Sequence, residues 1–420
     1  MQRIAIIGSG ISGLTAAYLL ARHASVTLYE KNPTLGGHTR TIRITPIHAT
    51  RPIAVDTGFI VFNDKNYPLF TRLLRHLGIA REKSNMSFAV ATDDGWLEYN
   101  TYTLRTLFAQ PFNVIRPAYL MMLKDILRFF RDAPNFMAQP PSLSLQQYLD
   151  HLKPTPWFTR YFLLPMASAI WSCPDATVRQ FPAATLIRFF HNHGLLSIAD
   201  QPQWYTLTGG AQTYIDAITK ASPFTIRHHQ AVRVTRHKDN VTITDSAHQQ
   251  QTYNQAILAC HSDEALSLLD APTPQEQRLL SAFRYQPNTI AVHSDVSFMP
   301  KRQRAWGSWT VMLARKKRPI SAPAYVNYWM NNLQNIDKKT PIFVTLNPPH
   351  KPQHCYDEHT FSHPIFDTPA ISAQHDLDAI QGNKRTWFCG AYQRYGFHED
   401  GVWSACNIVK RFMPLPSWLT

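Results

Sequence analysis

The chain has 420 residues, a formal net charge of +14 and a sequence pI near 9.6. Hydrophobic residues make up 44% and charged residues 17%, which is typical of globular proteins and excludes disordered and fibrous chains. The length suits two joined domains. No apolar run reaches the roughly 18 to 20 residues that span a bilayer, and we expect no signal peptide. Five scattered cysteines predict a reducing compartment and not a disulfide framework.

The excess of basic residues favours anionic partners. An unspecialised basic surface and an anionic membrane surface both agree with this charge. Nucleic acid is not expected as a partner, because the chain has no zinc-finger or RNA-binding signature. We expect a cytoplasmic protein, peripheral at the inner face of the cell membrane if the membrane interpretation holds.

The first thirty residues predict a dinucleotide-binding βαβ unit. Residues 3–8 form a short apolar run typical of a buried parallel strand. The run continues through the G-x-G-x-x-G turn of residues 8–13 into a predicted helix over 14–21. A second strand over 25–29 then ends at Glu30. The glycines of such a turn permit a tight bend, the approach of a pyrophosphate and close helix packing. An acid at position 30 suits ribose hydroxyls and disfavours the 2′-phosphate of NADP.

The residues after Glu30 resemble the extended fingerprint of the flavin-containing amine oxidase and phytoene desaturase superfamily. A short loop from Lys31 leads to Gly36-Gly37, and this pair lies beside the diphosphate in that family. An Arg usually follows the pair, whereas His38 and Thr39 follow it here with Arg40 and Arg43 nearby, so the identity of the cation that faces the phosphates stays open. An ordinary turn is the alternative interpretation of this loop. The resemblance implies FAD as the cofactor.

Three later segments extend the resemblance. Residues 55–60 resemble the segment that lines the flavin, and the backbone at Val232 resembles the part of a strand that contacts the adenine. A strand over 386–390 ends in a glycine that the family places beside the ribityl chain. A last helix is predicted over 402–412, and its N-terminal dipole would face the flavin pyrimidine and stabilise negative charge there.

Most of the chain resembles a bacterial group of amine-oxidase-like FAD proteins that are often encoded beside cyclopropane-fatty-acid-type methyltransferases. The resembling stretches are GSGISGL, LGGHT, VDTGFIVFN, LPMASAIWS, FPAATLIRFFHNHGLL, HPIFD and FCGAYQRYGFHEDG. The resemblance implies an α/β fold, in which a Rossmann-type FAD-binding domain of the glutathione-reductase-like, amine oxidase type carries an inserted α+β substrate domain. The expected FAD-binding domain is discontinuous, and the boundaries are 1–80, 205–265 and 383–420 for it and 81–204 and 266–382 for the substrate domain.

The implied activity is that of an FAD-dependent oxidoreductase in which hydride passes from the substrate to flavin N5. The methyltransferase neighbourhood favours an acyl-lipid or fatty-acyl desaturase or dehydrogenase, with a small molecule or a lipid as substrate. An amine oxidase, a non-enzymatic FAD-binding protein at the membrane and an NAD-only dehydrogenase are the alternatives. The candidate catalytic residues are Tyr392, Tyr395 and His398, and capping of the last helix is an equally good role for His398 and Glu399. The residues expected to contact the cofactor are Gly8, Ser9, Gly10, Ile11, Ser12, Gly13, Glu30, Lys31, Gly36, Gly37, His38, Thr39, Thr57, Gly58, Phe59, Val232, Gly390, Phe397, His398 and Glu399.

Two further segments allow more than one interpretation. Residues 104–130 are predicted to be helical with a break near Pro111 or Pro117, and they combine apolar side chains with basic ones. Such a helix packs on the core with a solvated basic face, or it lies in a membrane interface. The loop with His350, His354, Cys355 and His359 fits no standard metal-binding spacing, and no metal site is predicted.

Overall fold

The computed structural model describes residues 1–46, 50–138, 143–197, 201–228, 230–314 and 325–420. The strands are β1 (Arg3–Ile7), β2 (Ser25–Tyr29), β3 (Thr41–Ile44), β4 (Ile53–Asp56), β5 (Phe62–Asn63), β6 (Arg81–Ser84), β7 (Phe88–Thr92), β8 (Glu98–Asn100), β9 (Trp204–Leu207), β10 (Thr225–Arg227), β11 (Ala231–Arg236), β12 (Val241–Asp245), β13 (Gln250–Tyr253), β14 (Gln255–Leu258), β15 (Tyr285–His293), β16 (Trp309–Leu313), β17 (Val326–Trp329), β18 (Phe343–Leu346), β19 (Cys355–Pro364) and β20 (Thr386–Phe388).

The helices are α1 (Ile11–Leu20), α2 (Pro68–His76), α3 (Leu104–Leu107), α4 (Pro117–Asp132), α5 (Leu145–Leu152), α6 (Pro156–Phe158), α7 (Leu164–Trp171), α8 (Asp175–Val178), α9 (Ala183–Asn192), α10 (Gln212–Ala221), α11 (Ser262–Leu268), α12 (Pro274–Leu280), α13 (Met330–Leu333), α14 (Thr368–Asp376) and α15 (His398–Val409). A π-helical turn, Thr159–Leu163, joins α6 to α7, and a 3₁₀ turn, Pro111–Ile115, precedes α4. Among the described residues, no helix combines the length and apolarity that crossing a membrane requires.

A parallel sheet of five strands in the order β10-β2-β1-β14-β20 is the centre of the predicted Rossmann unit. Its strands are short and apolar because both faces are covered. Side chains alternate between the faces: Ile6, Leu28 and Ile257 point into one core with α1 and α15, whereas Ile7 and Leu258 point into another. The strand order reverses at β1, which is where ligands bind in open α/β sheets.

The core behind this sheet includes side chains of α12 and α14. The sequence assigns these two helices to the substrate domain, and the exact domain boundaries stay a prediction. The second large sheet has the order β19-β15-β18-β17-β16-β7-β8 and is antiparallel except between β16 and β7. Helices α4, α5, α7 and α9 share a core with Val90 and Tyr99 of this sheet.

Several elements differ from their predicted bounds. The segment over 104–130 breaks at both prolines into α3, the 3₁₀ turn and α4, because proline starts a helix well but disrupts its interior. The last helix begins at His398, four residues before the predicted Val402. Asp400 accepts hydrogen bonds from the N–H groups of Tyr395 and Phe397, at 3.2 and 2.9 Å, and so holds the turn that starts the helix.

A buried histidine in β15 predicts a pH dependence of stability. His293 Nδ1 accepts the N–H of Asp295 at 3.1 Å, so its Nε2–H donates to Thr345 Oγ1 at 2.6 Å. Burial lowers the pKa of His293 to about 4. As the pH falls, this imidazole therefore gains a proton near pH 6.5 in the unfolded chain and only near pH 4 in the folded chain. We expect the folded state to lose up to about 3 kcal/mol of stability between these two pH values.

The test compares the free energy of unfolding of the wild type with that of His293→Gln between pH 4 and pH 7. The variant should show a shallower decline with falling pH, whereas the exposed-site variant His375→Gln should follow the wild type. Equal slopes for wild type and His293→Gln would contradict the assignment.

Candidate cofactor site

The carboxyl ends of four parallel strands converge on one edge of the central sheet. Gly8 follows β1, Glu30 follows β2, His261 comes shortly after β14 and Gly390 comes shortly after β20. Parallel strands end at the same edge, so residues from opposite ends of the chain become neighbours. This edge holds most of the residues that the sequence singled out.

The glycine-rich turn leaves space on one side only. Gly8 has a φ of +103°, which favours glycine, and a Cβ on Gly13 would lie 1.9 Å from the carbonyl oxygen of Gly8. A Cβ on Gly10, by contrast, would have no atom within 4 Å. The turn is therefore packed against its own strand at Gly8 and Gly13 and is open beside Gly10, at the N-terminus of α1.

Glu30 is held in place by the same turn. Its Oε2 accepts the N–H and the hydroxyl of Ser9, at 3.0 and 2.5 Å, and its Oε1 accepts the N–H of Asn32 at 2.8 Å. The carboxylate is buried, and these donors orient it at the end of β2. The side-chain amide of Asn32 also donates to Oε1, at 2.9 Å, so four donors occupy the roughly four acceptor positions of the carboxylate.

The loop after Glu30 returns to the turn. Gly36 donates its N–H to the carbonyl of Ser9 at 3.1 Å, and a Cβ on Gly37 would lie 3.2 Å from the Cα of Gly10. Lys31 instead forms an ion pair with Glu264 of α11. The two glycines therefore border the open space beside Gly10, whereas the Lys31 ammonium is bound to α11.

Aromatic rings surround His38. Its imidazole stacks on Phe361 with ring centroids 4.7 Å apart, and it lies 5.3 Å from His363 and 5.7 Å from His261. Burial lowers the pKa of His38 well below its usual range, and the neighbouring imidazoles lower it further. Burial lowers the pKa of His363 to about 4. These rings are neutral at physiological pH.

A second cluster forms around His398, the first residue of α15. Its ring stacks on Phe59 with centroids 3.6 Å apart, and its Nε2 lies 2.8 Å from Thr39 Oγ1. The Thr39 hydroxyl also contacts the Tyr214 hydroxyl at 2.5 Å. Burial lowers the pKa of His398 to about 3. Three predicted residues, Thr39, Phe59 and His398, thus meet here. Thr57 instead donates its hydroxyl to the carbonyl of Arg40, and a Cβ on Gly58 would lie 2.0 Å from the carbonyl oxygen of His38.

The N-terminus of α15 packs against the N-terminus of α1. A Cβ on Gly401 would lie 2.5 Å from Cγ2 of Ile11 and 3.0 Å from Oγ of Ser12, so only glycine permits this approach. At the end of β20, Gly390 donates its N–H to Ser404 Oγ of α15 at 2.9 Å. Two positive helix ends therefore lie together at the edge of the sheet.

The carboxylate of Glu399 caps a different helix. Its oxygens accept the N–H groups of Leu69 and Phe70 in the first turn of α2, at 3.0 and 2.9 Å. Burial raises the pKa of Glu399 to about 7 even though both donors act to lower it. Glu399 is therefore a helix-capping residue. The helix that it caps is α2, whereas α15 was expected from the sequence.

The other predicted site residues lie in three places. Val232 forms a bulge between Ala231 and Arg233, and a bulged residue has its backbone groups outside the strand ladder. Tyr395 and Phe397 pack on Phe189, with centroids 5.8 and 5.0 Å apart. Tyr392 packs on Phe283, in the core on the face of the sheet opposite α1 and α15, and so lies apart from the His398 cluster.

Several contacting residues were not selected from the sequence. Tyr214, His363 and Phe361 touch the two histidine clusters from α10 and β19. His261, which lies beside His38, stacks on Tyr285 with centroids 4.2 Å apart. A signal for His363 existed only in the resembling stretch HPIFD. Among the described residues, no group of three or more His, Cys, Asp or Glu side chains could hold a metal ion.

Comparisons with known proteins identify the architecture. The family model described as an NAD(P)-binding Rossmann-like domain matches residues 6–77. The match covers the βαβ unit at the start of the chain from Ile6 onward. No curated protein matches the sequence.

Solved structures match over nearly the whole chain. A CLA-producing fatty acid isomerase from P. acnes has 15% identity and a TM-score of 0.70, with 98% of this chain and 99% of that chain covered. Cyclohexylamine oxidase from Brevibacterium oxydans IH-35A and putrescine oxidase each have 14% identity, with 98% and 99% covered and TM-scores of 0.67 and 0.66. The predicted α/β fold of the amine oxidase type is confirmed.

The Glu399 cap leads to a test of stability against pH. The pKa of Glu399 is higher in the folded chain than in the unfolded chain, so protonation of its carboxyl stabilises the fold. This stabilisation is fully present below about pH 4.5 and is lost as the pH rises through about 7. Glu399→Gln keeps an acceptor for α2 and stays neutral, so its stability relative to the wild type should increase across this window, by up to about 3 kcal/mol.

Unfolding free energies measured between pH 4.5 and pH 7.5 check this, with Glu399→Ala as the second variant. Alanine removes the cap and should lower stability by about 1–2 kcal/mol relative to Gln at any pH. A constant difference between wild type and Glu399→Gln would contradict the raised pKa.

Proposed function

We propose that the protein is an FAD-dependent oxidoreductase that removes hydrogen from an acyl chain. The observation that carries the FAD assignment is the open space beside Gly10 between the first and the last helix of the chain. Backbone contacts exclude a side chain at Gly8, Gly13 and Gly36, whereas Gly10 faces empty space. A pyrophosphate fits there, against the N–H groups at the start of α1.

The surrounding residues fit the remaining parts of FAD. The ribose hydroxyls would replace the side-chain amide of Asn32 as donors to Glu30, and the unpaired backbone at Val232 can hydrogen-bond to the adenine. The N-terminus of α15 would stabilise negative charge on the pyrimidine end of the isoalloxazine. An NAD site would need only the βαβ unit, so the convergence of α15 on α1 favours FAD.

When bound, FAD would supply an acceptor for the hydride that leaves the substrate carbon. The chain's own residues would orient the reactants and exclude water. His398 stays neutral because of its low pKa, and its contacts with Thr39 and Phe59 fix the orientation of its ring. Tyr395 and Phe397 would then form an apolar, aromatic boundary beside α9.

An acyl chain is supported as substrate by two observations. Tyr395 and Phe397 are only partly buried and pack on Phe189, so they offer an apolar aromatic surface beside the first turn of α15. One structure of the same fold is a fatty acid isomerase, and its likeness covers 98% of this chain. Both favour an apolar substrate with a long hydrocarbon part.

An amine is the second candidate substrate. Two structures of the same fold are putrescine oxidase and cyclohexylamine oxidase. The rings of Phe189, His193, Tyr395 and Phe397 pack together, and aromatic faces attract cations. An amine that bleaches the flavin, where no acyl lipid does, would establish this alternative.

The first test is the visible spectrum of the purified protein before and after denaturation. Flavin bands that are released on denaturation are expected, because FAD would be held without a covalent bond. Anaerobic addition of fatty acids and phospholipids should then bleach the flavin. A colourless protein that takes up no added FAD would contradict the proposal.

Two glycine variants test the site itself. Gly10→Ala places a methyl group in the open space, so we expect normal folding and at least about a tenfold weaker affinity for FAD, equivalent to 1.4 kcal/mol. Gly13→Ala forces a methyl group against the Gly8 carbonyl and should destabilise the fold by about 3 kcal/mol or more. Thermal unfolding and FAD titration of the apoprotein measure both effects. Unchanged FAD affinity in Gly10→Ala would contradict the pyrophosphate position.

A further inference from the structure

Exposed apolar side chains are concentrated in one stretch of the chain. Among the described residues, twelve large hydrophobic side chains are exposed, and eight of them lie within residues 102–127. These eight are Tyr102, Leu104, Phe112, Val114, Ile115, Leu120, Met121 and Leu127. Single exposed hydrophobic residues are normal on a protein surface, whereas a group of this size marks an interaction site.

One side of this stretch packs on the protein core, and the other side is exposed to solvent. The inner side of α4 packs Tyr119, Met122 and Phe129 into the core of the insert. Its outer side repeats Leu120, Lys124, Leu127 and Arg131 at helical spacing. The preceding 3₁₀ turn exposes Phe112 by 67% and Ile115 by 69%. The helix is therefore ordered by the fold and still presents an apolar and basic side to solvent.

The charge of this stretch is positive. Residues 101–132 contain five basic residues and the two acids Asp125 and Asp132. Asp125 is buried, where it pairs with Arg128 and accepts the N–H of Thr155, and Asp132 pairs with Arg131. Arg105 and Lys124 are exposed beside the apolar side chains. The surface formed by residues 102–127, here called the amphipathic face, thus combines apolar groups with cations.

We propose that the amphipathic face docks the protein on the surface of an anionic lipid bilayer. Apolar side chains would enter the boundary between headgroups and acyl chains, and Arg105 and Lys124 would contact the headgroup phosphates. The formal net charge of +14 adds long-range attraction to such a surface. Like charge disfavours contact of this face with a second copy of the chain. The described helices are too short or too polar to span the bilayer, so the protein lies on it.

Vesicle sedimentation of the full-length protein tests this inference independently of FAD and of any substrate. The protein should sediment with vesicles of phosphatidylcholine and phosphatidylglycerol at low salt. It should bind less at high salt, and much less to phosphatidylcholine alone. Failure to sediment with anionic vesicles at low salt would overturn the proposal.

Two pairs of variants separate the apolar and the basic contributions. Arg105→Gln with Lys124→Gln should lower the vesicle partition coefficient about 30-fold, because each cation near an anionic surface contributes about fivefold. Phe112→Ser with Ile115→Ser should lower the partition coefficient by at least about 30-fold as well. This decrease should persist at high salt, because salt screens charge and leaves the apolar contribution. The controls are Lys220→Gln with Lys339→Gln for charge and Val296→Ser for an exposed apolar residue, all of which lie outside the face.

Circular dichroism of each variant checks that the fold is intact, which we expect because the altered side chains are exposed. Wild-type partitioning in both face variants would overturn the proposal. Light scattering tests whether the amphipathic face instead joins two copies of the chain. A dimer of the wild type that Phe112→Ser with Ile115→Ser abolishes, without binding to vesicles, would identify the face as a contact between two copies and would equally overturn it.

Discussion

The close approach of backbone at Gly13 and Gly401 is the constraint on which the site depends. At Gly13 the first helix touches the turn that leaves β1, and at Gly401 the last helix touches the start of the first. A side chain at either glycine would push the helices apart. Because these two contacts bring the N-termini of α1 and α15 together, residues nearly four hundred positions apart in sequence form one edge of the sheet. The space beside Gly10 follows from this packing.

Helix ends and buried side chains then set the electrostatics of the edge. Glu399 caps α2 and so satisfies N–H groups of that helix, whereas α1 has no acidic residue in its first turn and no side-chain cap. The imidazoles of His38 and His398 are neutral because desolvation disfavours their charged forms. The positive potential near Gly10 therefore comes from backbone dipoles more than from charged side chains.

The sequence predicted the elements that depend on local patterns, and it predicted less where distant segments meet. The βαβ unit was predictable because the glycine turn and the acid at position 30 lie within one short stretch. The start of α15 was placed too late because residues 398–401 have no apolar periodicity, and Asp400 holds the turn through backbone contacts. The ring cluster at His38 was not predictable, since His261 reaches it from the loop between β14 and α11 and His363 reaches it from β19. The position of Tyr392 behind the sheet depends on how β20 joins the sheet edge.

The residue after Gly36-Gly37 shows how local sequence and assembled structure combine. An Arg at position 38 would bring a permanent charge to the phosphates, whereas His38 lies stacked on Phe361 in a neutral cluster. Two basic residues nearby in sequence are paired already, Lys31 with Glu264 and Arg40 with Asp357, and Arg43 is exposed on β3. Binding of a diphosphate would then rely chiefly on the N–H groups at the start of α1, which are fixed in direction and need no rearrangement of side chains. Hydrogen bonds to fixed dipoles inside a packed edge are screened little by salt, in contrast to the exposed cations of the amphipathic face. The same chain thus uses two different physical means for its two proposed anionic partners.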